Sequence, residues 1–278
     1  MEVFTTIADY KKVRRKAKGA VGCVPTMGYL HEGHLSLVRR AKEENRHVVT
    51  TIFVNPTQFG PQEDFARYPK DQERDLGLLS KGGVDWVFMP TPEEIYPNGF
   101  DTWVDMGSVT ERLEGAHRPG HFRGVATVVA KLFNITEPHK AYFGQKDAQQ
   151  VVVIKKLAKD LSFPLEVVVC PTIREADGLA MSSRNVYLNP EERKSALALW
   201  SSLHLAQTLY GEGERDAERI RSEMHTLIGS YPLANIDYIS IANHETLEEL
   251  EHINGPALIS LAVQIGATRL IDNITTAE

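Results

Sequence analysis

Short apolar runs alternate with segments of helical spacing along the first 170 residues. The runs lie at 20–24, 48–54, 85–89, 141–143 and 165–170. The spacing of apolar residues between them predicts helices at 35–45, 71–81, 125–134 and 148–161. Continuous apolar strands separated by helices are typical of a parallel sheet covered on both faces, so the pattern predicts a doubly wound α/β domain. Such sheets bind ligands at the carboxyl ends of their strands.

The pattern changes after about residue 173. Asn189 followed by Pro190 and two glutamates is typical of a helix start, which predicts a long helix to about Tyr210. A second helix is predicted at 216–228, and strands at 236–241, 257–263 and 268–274. These elements indicate a smaller α+β domain.

Composition limits the classes of partner. The chain has 31 basic and 37 acidic residues, a net charge of −6, so there is no overall basic field to attract nucleic acid. No apolar run approaches the length of a membrane span, and the N-terminus lacks the apolar core of a signal peptide. Cys23 and Cys170 lie inside apolar runs, as is typical of buried, reduced thiols. We therefore expect a soluble cytoplasmic protein that binds neither nucleic acid nor membranes.

The stretch from Pro25 to His34 follows the first apolar run and precedes a predicted helix. A strand, a glycine-bearing turn and a helix start present backbone N–H groups and the positive helix end to an anion. His31 and His34 are three residues apart and can reach one bound phosphate. Two partly exposed structural histidines are the alternative. A metal site is disfavoured because no third ligand is nearby.

Asn55-Pro56 follows the second apolar run and favours a turn that presents Gln58 at the edge of the sheet. A glutamine amide both donates and accepts hydrogen bonds, which suits a substrate with hydroxyl and carboxylate groups. A structural loop glutamine is the alternative.

Three further segments are rich in polar and glycine residues. The segment 114–124 is predicted to be a loop in which Arg118 and Arg123 attract an anionic substrate, or else a basic surface loop. The segment 142–147 is predicted to be a strand, a turn and a helix start, with Lys146 reaching phosphate and Asp147 binding ribose or capping the helix. In the segment 177–185, two serines and Arg184 form a plausible clamp on a leaving pyrophosphate.

Two phosphate-handling turns and a third hydroxyl-rich basic loop together resemble the HxGH nucleotidylyltransferase superfamily. The chain has neither a G-x-x-x-x-G-K-[ST] nor a G-x-G-x-x-G motif, so P-loop kinases and dinucleotide enzymes are disfavoured. The ordered set of motifs resembles, more specifically, the pantoate–β-alanine ligase family along nearly the whole chain. The motifs are Pro25–Gly28 with His31–His34, Phe53–Phe59, His121–Val125, Phe143–Asp147 with Gln149 and Gln150, and Asp177–Asn185.

The resemblance implies the ATP-dependent joining of (R)-pantoate to β-alanine through a pantoyl adenylate, releasing AMP and pyrophosphate. It implies a Rossmann-like nucleotide- and pantoate-binding domain at 1–172 and a smaller C-terminal lid domain at 173–278. A closing lid would protect the adenylate, a mixed anhydride, from water. Mg²⁺ and a homodimer are implied as well.

The resemblance also implies the roles of individual residues. His34 is implied as the proton donor, with His31, Lys146 and Arg184 offsetting charge on the phosphates. Gln58 and Gln150 are implied to hold pantoate, with Gln58 also near β-alanine. The implied ATP site comprises Met27, Gly28, Tyr29, Leu30, His31, Glu32, Gly33, His34, Gly144, Gln145, Lys146, Asp147, Ile173, Met181, Ser182, Ser183 and Arg184.

The family often has an acidic cluster associated with the metal, and the corresponding stretch here is Glu73-Arg74-Asp75, with a basic residue in the middle. We therefore expect Mg²⁺ to be held mainly by ATP phosphates and water, and the sequence does not identify a protein ligand for it.

Other functions stay open at this point. One is a nucleotidylyltransferase that releases its adenylylated product, and another is a noncatalytic nucleotide-binding regulator. An aminoacyl-tRNA synthetase is disfavoured because no basic domain for tRNA is appended.

Overall fold

The structure, a computed structural model, describes residues 1–61 and 63–276. The chain divides into two compact units. The N-terminal unit comprises Met1–Gly144 and Val153–Pro171, and the C-terminal unit comprises Gln145–Val152 and Thr172–Glu278. The sequence placed one boundary at 172/173, and that domain division stays a prediction. None of the helices formed by the described residues is long and apolar enough to cross a membrane.

The N-terminal unit contains a six-stranded, entirely parallel sheet in the order β1-β4-β3-β2-β5-β6. The predicted doubly wound, Rossmann-like sheet is confirmed, and β1 at its edge was not predicted. The strands are β1 (Glu2–Phe4), β2 (Val21–Thr26), β3 (His47–Ile52), β4 (Trp86–Phe88), β5 (Lys140–Gly144) and β6 (Glu166–Cys170).

Helices cover both faces of this sheet because successive strand residues point to opposite sides. Tyr142 of β5 joins a buried cluster with Val38 and Leu79 on one face. On the other face, the ring of Phe133 packs edge-on against Phe143, the next residue of β5. The helices are α1 (Ile7–Arg14), α2 (Glu32–Glu44), α3 (Gln72–Lys81), α4 (Pro92–Ile95), α5 (Glu114–His117), α6 (His121–Thr136) and α7 (Ala148–Asp160).

The order of strands reverses between β2 and β5, and the two strands pair over a short distance only. Their register comprises Gly22 with Lys140 and Cys23 with Ala141. Beyond that point β2 continues to pair with β3 as far as Thr26, and β5 continues with β6 as far as Gly144. The carboxyl ends of β2 and β5 therefore diverge, at the position where doubly wound sheets bind their ligands.

The C-terminal unit is an antiparallel three-stranded sheet, in the order β7-β8-β9, packed against helices. Its smaller α+β character is confirmed. Its elements are α8 (Pro190–Ser195), α9 (Leu197–Gly211), α10 (Ala217–Gly229), β7 (Ala234–Asn243), β8 (Ala257–Ile265) and β9 (Thr268–Thr275). Leu199 and Leu203 of α9 and Ile220 of α10 share a buried cluster with alternate residues of β8.

Two predicted element boundaries are wrong. The helix predicted from Asn189 to Tyr210 is interrupted at Ala196, where α8 ends and α9 begins. The predicted cap is correct, since Asn189 Oδ1 accepts from the N–H groups of Glu191 (3.0 Å) and Glu192 (2.9 Å). The segment 114–124 is not one loop, because it contains α5 and the first turn of α6.

Candidate active site

The turn after β2 has an unusual backbone. Gly28 and Tyr29 have φ angles of +81° and +47°, so two successive residues are in the left-handed region. Glycine adopts that region readily, but a tyrosine does so only where its surroundings hold it. The buried carboxylate of Asp75 does so here. Its Oδ2 accepts from the Tyr29 N–H at 2.7 Å, and its Oδ1 accepts from the Leu30 N–H at 2.8 Å.

Asp75 reaches the turn from the first turn of α3. That helix is capped by Asp71, whose Oδ1 accepts from the Arg74 N–H at 3.1 Å. The Asp75 residue is only 1% exposed. Burial raises the pKa of its carboxyl, and the N–H groups of Leu30 and Tyr29 oppose that rise. The left-handed turn thus depends on a side chain 45 residues away in the sequence.

His31 and His34 cap the start of α2 reciprocally. The His31 ring occupies the N-cap position, and its Nδ1 accepts from the Gly33 N–H at 3.1 Å. The Nδ1 of His34 accepts from the His31 N–H at 3.2 Å, and the two ring centroids are 4.1 Å apart. Because each Nδ1 is an acceptor, the proton of each neutral ring lies on Nε2.

The expectation that backbone N–H groups of this turn face an anion is wrong for five of them. The N–H of Gly28 donates to Thr26 Oγ1 at 3.2 Å. Asp75 and the two histidines accept from the other four, which belong to Tyr29, Leu30, His31 and Gly33. The physical reason is that the chain's own side chains satisfy the amides of the turn. The imidazole Nε2–H groups are donors on this turn in addition to its backbone amides.

Gln58 lies at the end of a short 3₁₀ turn, Pro56–Gln58, that follows β3. Its Nε2 lies 3.3 Å from Met27 Sδ, so the structure brings the predicted substrate residue to the turn after β2. The His121 ring donates from Nδ1 to the Gln58 carbonyl oxygen at 2.8 Å. Burial lowers the pKa of His121 to about 4, so this ring is neutral at pH 7. This support of Gln58 by His121 was not predicted from the sequence.

The two arginines predicted to attract an anionic substrate both have acidic partners. Arg118 donates to both carboxylate oxygens of Glu63, at 2.8 and 2.6 Å. Arg123 Nε lies 3.3 Å from an Asp105 oxygen, and its guanidinium stacks 4.8 Å from the centre of the Trp103 ring. These pairings compensate both charges, so they do not support the predicted role.

In the C-terminal unit, a 3₁₀ turn at Gln145–Asp147 is held by β9. The Asn273 side chain donates to the carbonyl oxygens of Gln145 (3.0 Å) and Lys146 (2.8 Å). It also accepts from Gln145 Nε2 at 3.1 Å. Asn273 is 3% exposed, so this anchor of the predicted phosphate-binding turn is part of the interior. Gln150 follows on α7 and is half-buried.

The segment 173–185 folds back on itself within the same unit. The Met181 N–H donates to the Ile173 carbonyl at 2.9 Å, so two residues predicted for the ATP site are adjacent although eight positions apart. Ser182 Oγ accepts from the Arg184 N–H at 3.2 Å and caps the 3₁₀ turn Ser183–Tyr187. The segment is anchored to β9 by Arg174, whose guanidinium donates to both carboxylate oxygens of Asp272.

The stretch that corresponds to the family's acidic cluster, Glu73-Arg74-Asp75, ends in a carboxylate that is already engaged. Asp75 uses both oxygens to accept backbone N–H groups. Among residues 1–61 and 63–276, no group of three or more His, Cys, Asp or Glu side chains is placed to hold a metal ion.

A parallel Rossmann-like sheet with an HxGH turn at the end of its central strand β2 places the protein in the class of HxGH nucleotide-dependent enzymes. The chain belongs to the pantoate–β-alanine ligase family, whose family model matches residues 2–275.

Curated relatives agree with this assignment over their full lengths. A pantothenate synthetase from Roseiflexus sp. (strain RS-1) is 60% identical over 273 residues, which are 98% of each chain. A pantothenate synthetase from Acetivibrio thermocellus is 57% identical over 277 residues, 99% of each chain.

Solved structures agree as well. The crystal structure of pantothenate synthetase from Thermus thermophilus matches with a TM-score of 0.95, 48% identity and 99% coverage of both chains. Pantoate-β-alanine ligase from Francisella tularensis, crystallised with β,γ-ATP and β-alanine, matches with a TM-score of 0.82 and 36% identity over 99% of this chain and 97% of that one.

Proposed function

We propose that the protein joins (R)-pantoate to β-alanine at the expense of ATP, releasing AMP and pyrophosphate. Family membership along 2–275 supports the overall reaction. The ATP analogue and β-alanine bound by the Francisella relative support two of the three substrates. The observation that carries the first chemical step is the histidine pair at the end of β2, with its ring protons on Nε2.

In the first step, a pantoate carboxylate oxygen attacks the α-phosphorus of ATP. The bond from that phosphorus to the bridging oxygen breaks, and pyrophosphate leaves with the electron pair. Negative charge grows on the nonbridging and leaving oxygens, so donors fixed in advance lower the barrier. The Nε2–H groups of His31 and His34 are such donors, because the cap holds both rings in one tautomer and orientation. The proton that His34 offers is therefore the one on Nε2.

From the family resemblance, Lys146 and Arg184 are proposed to offset charge on the phosphates of ATP. The turn that carries Lys146 is fixed by Asn273, and the turn that carries Arg184 is capped by Ser182. Fixed supports of this kind reduce the reorganisation needed when charge develops. The other residues named for ATP in the sequence analysis are proposed to line the nucleotide site.

In the second step, the amine of β-alanine attacks the acyl carbon of the adenylate. The bond from that carbon to the phosphate oxygen breaks, AMP leaves with the electron pair, and the new amide nitrogen releases a proton to solvent. Gln58 and Gln150 are proposed to orient pantoate through both steps. Positioning supplies much of the rate of such a step, so no dedicated base is proposed.

Mg²⁺ is proposed to arrive with the triphosphate of ATP, where it would neutralise phosphate charge. The engaged carboxylate of Asp75 supports phosphate and water, rather than protein, as its main ligands.

The experiment that tests this function omits each substrate in turn while AMP and pyrophosphate are measured. We expect AMP formation to require pantoate, ATP and β-alanine together over many turnovers. Accumulation of a stable adenylylated product without β-alanine would instead indicate a nucleotidylyltransferase. Pantoate labelled with ¹⁸O in its carboxylate should transfer one labelled oxygen to AMP. The formation of unlabelled AMP would refute attack by the carboxylate on the α-phosphorus.

A homodimer in the cytoplasm is proposed from the family resemblance. Sedimentation equilibrium should give twice the 31.1 kDa mass of one chain. A concentration-independent mass of one chain would refute the dimer.

A further inference from the structure

A chain of hydrogen bonds runs from the half-buried Tyr96, through the buried Asn55, to the side chain of Gln58. The Tyr96 hydroxyl donates to Asn55 Oδ1 at 2.8 Å, and Asn55 Nδ2 donates to Gln58 Oε1 at 3.1 Å. Asn55 is 1% exposed, so water does not compete for its amide. Tyr96 and Asn55 are 41 residues apart in the sequence, and neither is among the predicted site residues.

The donor and acceptor roles in this chain of hydrogen bonds are fixed by two backbone groups, one that can only accept and one that can only donate. Asn55 Nδ2 also donates to the Gly124 carbonyl at 3.2 Å, and a carbonyl can only accept. Asn55 Oδ1 also accepts from the Thr57 backbone N–H at 3.4 Å, and an N–H can only donate. The amide of Asn55 therefore has one orientation, with its nitrogen towards Gln58.

The orientation of Gln58 follows from that of Asn55. Because Asn55 supplies a donor, the oxygen of the Gln58 amide faces it, and the nitrogen lies towards Met27 in the turn after β2. The –NH₂ group of Gln58 has two hydrogens, so it can donate to a carboxylate or hydroxyl oxygen of an acid substrate. If the Gln58 amide were flipped, its own oxygen would face the substrate oxygen, and the two would repel each other.

The ring of Tyr96 is held in place by aromatic neighbours. Its ring packs against Phe53, Phe100 and Trp103, with ring centroids 6.3, 5.1 and 6.3 Å away. Burial raises the pKa of Tyr96, so its hydroxyl keeps its proton as a donor. The aromatic packing should keep a phenylalanine ring in the same place, so the hydroxyl can be removed alone.

We propose that Tyr96 is a positioning residue for the acid substrate, because its hydroxyl, together with Thr57 and the Gly124 carbonyl, holds the Asn55 amide that orients Gln58. This rests on the proposed role of Gln58 in binding pantoate. Tyr96 does not itself touch the substrate in this proposal.

The test is the Tyr96→Phe variant, compared with Tyr142→Phe as a matched control. Tyr142 is a buried tyrosine whose hydroxyl also pairs with an asparagine, Asn45 at 2.6 Å, but it lies in the cluster with α2 and α3. We expect Tyr96→Phe to raise the KM for pantoate about 10-fold while the KM for ATP changes less than about twofold. Tyr142→Phe should leave both KM values within about twofold of wild type. Equal changes in both KM values of Tyr96→Phe, or a lower melting temperature with unchanged KM values, would overturn the proposal.

A double-mutant cycle separates this proposal from the proposed function. Gln58→Leu removes the amide and should raise the KM for pantoate, and adding Tyr96→Phe should then change it less than about twofold. If Gln58→Leu leaves the KM for pantoate unchanged, the role of Gln58 fails and the proposal fails with it. If Gln58→Leu raises the KM but Tyr96→Phe has the same effect with and without it, the proposal alone fails.

Discussion

The carboxylate of Asp75 offers the sharpest test of how the turn after β2 is built and of its proposed role in binding ATP. In Asp75→Asn, one oxygen can still accept from Tyr29 or Leu30, but the new –NH₂ group faces the other N–H. A buried donor left without its acceptor costs about 1–3 kcal/mol. At about 1.4 kcal/mol per tenfold in rate, kcat/KM for ATP should fall about 5- to 150-fold.

The same substitution should change the stability of the fold much less than the activity. Burial raises the pKa of Asp75 above its usual 3.8, so keeping the carboxylate charged in the folded state opposes folding at neutral pH. The stability that this group contributes is fully present below the unfolded pKa and is lost as the pH rises through the folded pKa. The neutral asparagine removes this unfavourable contribution to the free energy of folding, which offsets the cost of the N–H group left without an acceptor. Tm at pH 7 should therefore shift by less than about 4 °C.

The assay pairs steady-state kinetics, with AMP as the measured product, with thermal unfolding of the same samples. Asp71→Asn is the matched control, because it makes the same change on the same helix at an N-cap where Asn and Asp are equally suitable. It should keep wild-type kinetics. The reasoning would be refuted if Asp75→Asn kept kcat/KM for ATP within about threefold of wild type, or if Tm and activity fell in proportion.

Outcomes are expected for four further variants. His34→Ala should lower turnover at least about 10²-fold with an unchanged circular dichroism spectrum, and near-wild-type turnover would contradict its proposed role. Burial holds the pKa of His121 near 4, below its usual 6.5, so its contribution to stability is present above 6.5 and is lost as the pH falls through 4. In urea unfolding, the free energy of unfolding of the wild type should fall by up to about 3 kcal/mol between pH 6.5 and pH 4, whereas that of His121→Asn should not. Parallel pH profiles of the two proteins would refute this. A Cβ on Gly124 would lie 2.4 Å from the Thr57 carbonyl, so Gly124→Ala should lower activity at least about 10-fold. Gly77→Ala, with no atom within 4 Å of its added Cβ, should keep wild-type activity and gain about 0.5–1 kcal/mol of stability.

Local patterns predicted most of the N-terminal sheet because a buried parallel strand has a distinctive composition. The runs at 20–24 and 165–170 correspond to Val21–Thr26 and Glu166–Cys170. The start of α6 was missed because Gly120 and Gly124 resemble loop residues. Gly124 lies inside the helix because the backbone of Thr57 approaches too closely for any larger residue. A single sequence shows the glycine but not the neighbour that requires it.

The residues that support the candidate site could not be predicted from local sequence patterns either. The motif from Thr26 to His34 and the position of Gln58 were evident from the residues themselves. Asp75 reaches the turn from 45 residues away, and Tyr96 reaches Asn55 from 41. An aspartate in the first turn of a helix is common for reasons of capping alone, so nothing in its surroundings marked it as the support of a remote turn.

The two histidines that cap α2 have a consequence for engineering this protein. Serine, aspartate or asparagine at position 31 and glutamate at position 34 are the residues that ordinarily make a strong helix start. A stabilisation campaign guided by helix caps would therefore select His31→Asp or His34→Glu and gain up to about 1 kcal/mol. Each change would also remove an imidazole donor from the proposed phosphate site. At these two positions helix capping and the proposed phosphate site make opposite demands, and the native residues are those that suit the proposed site.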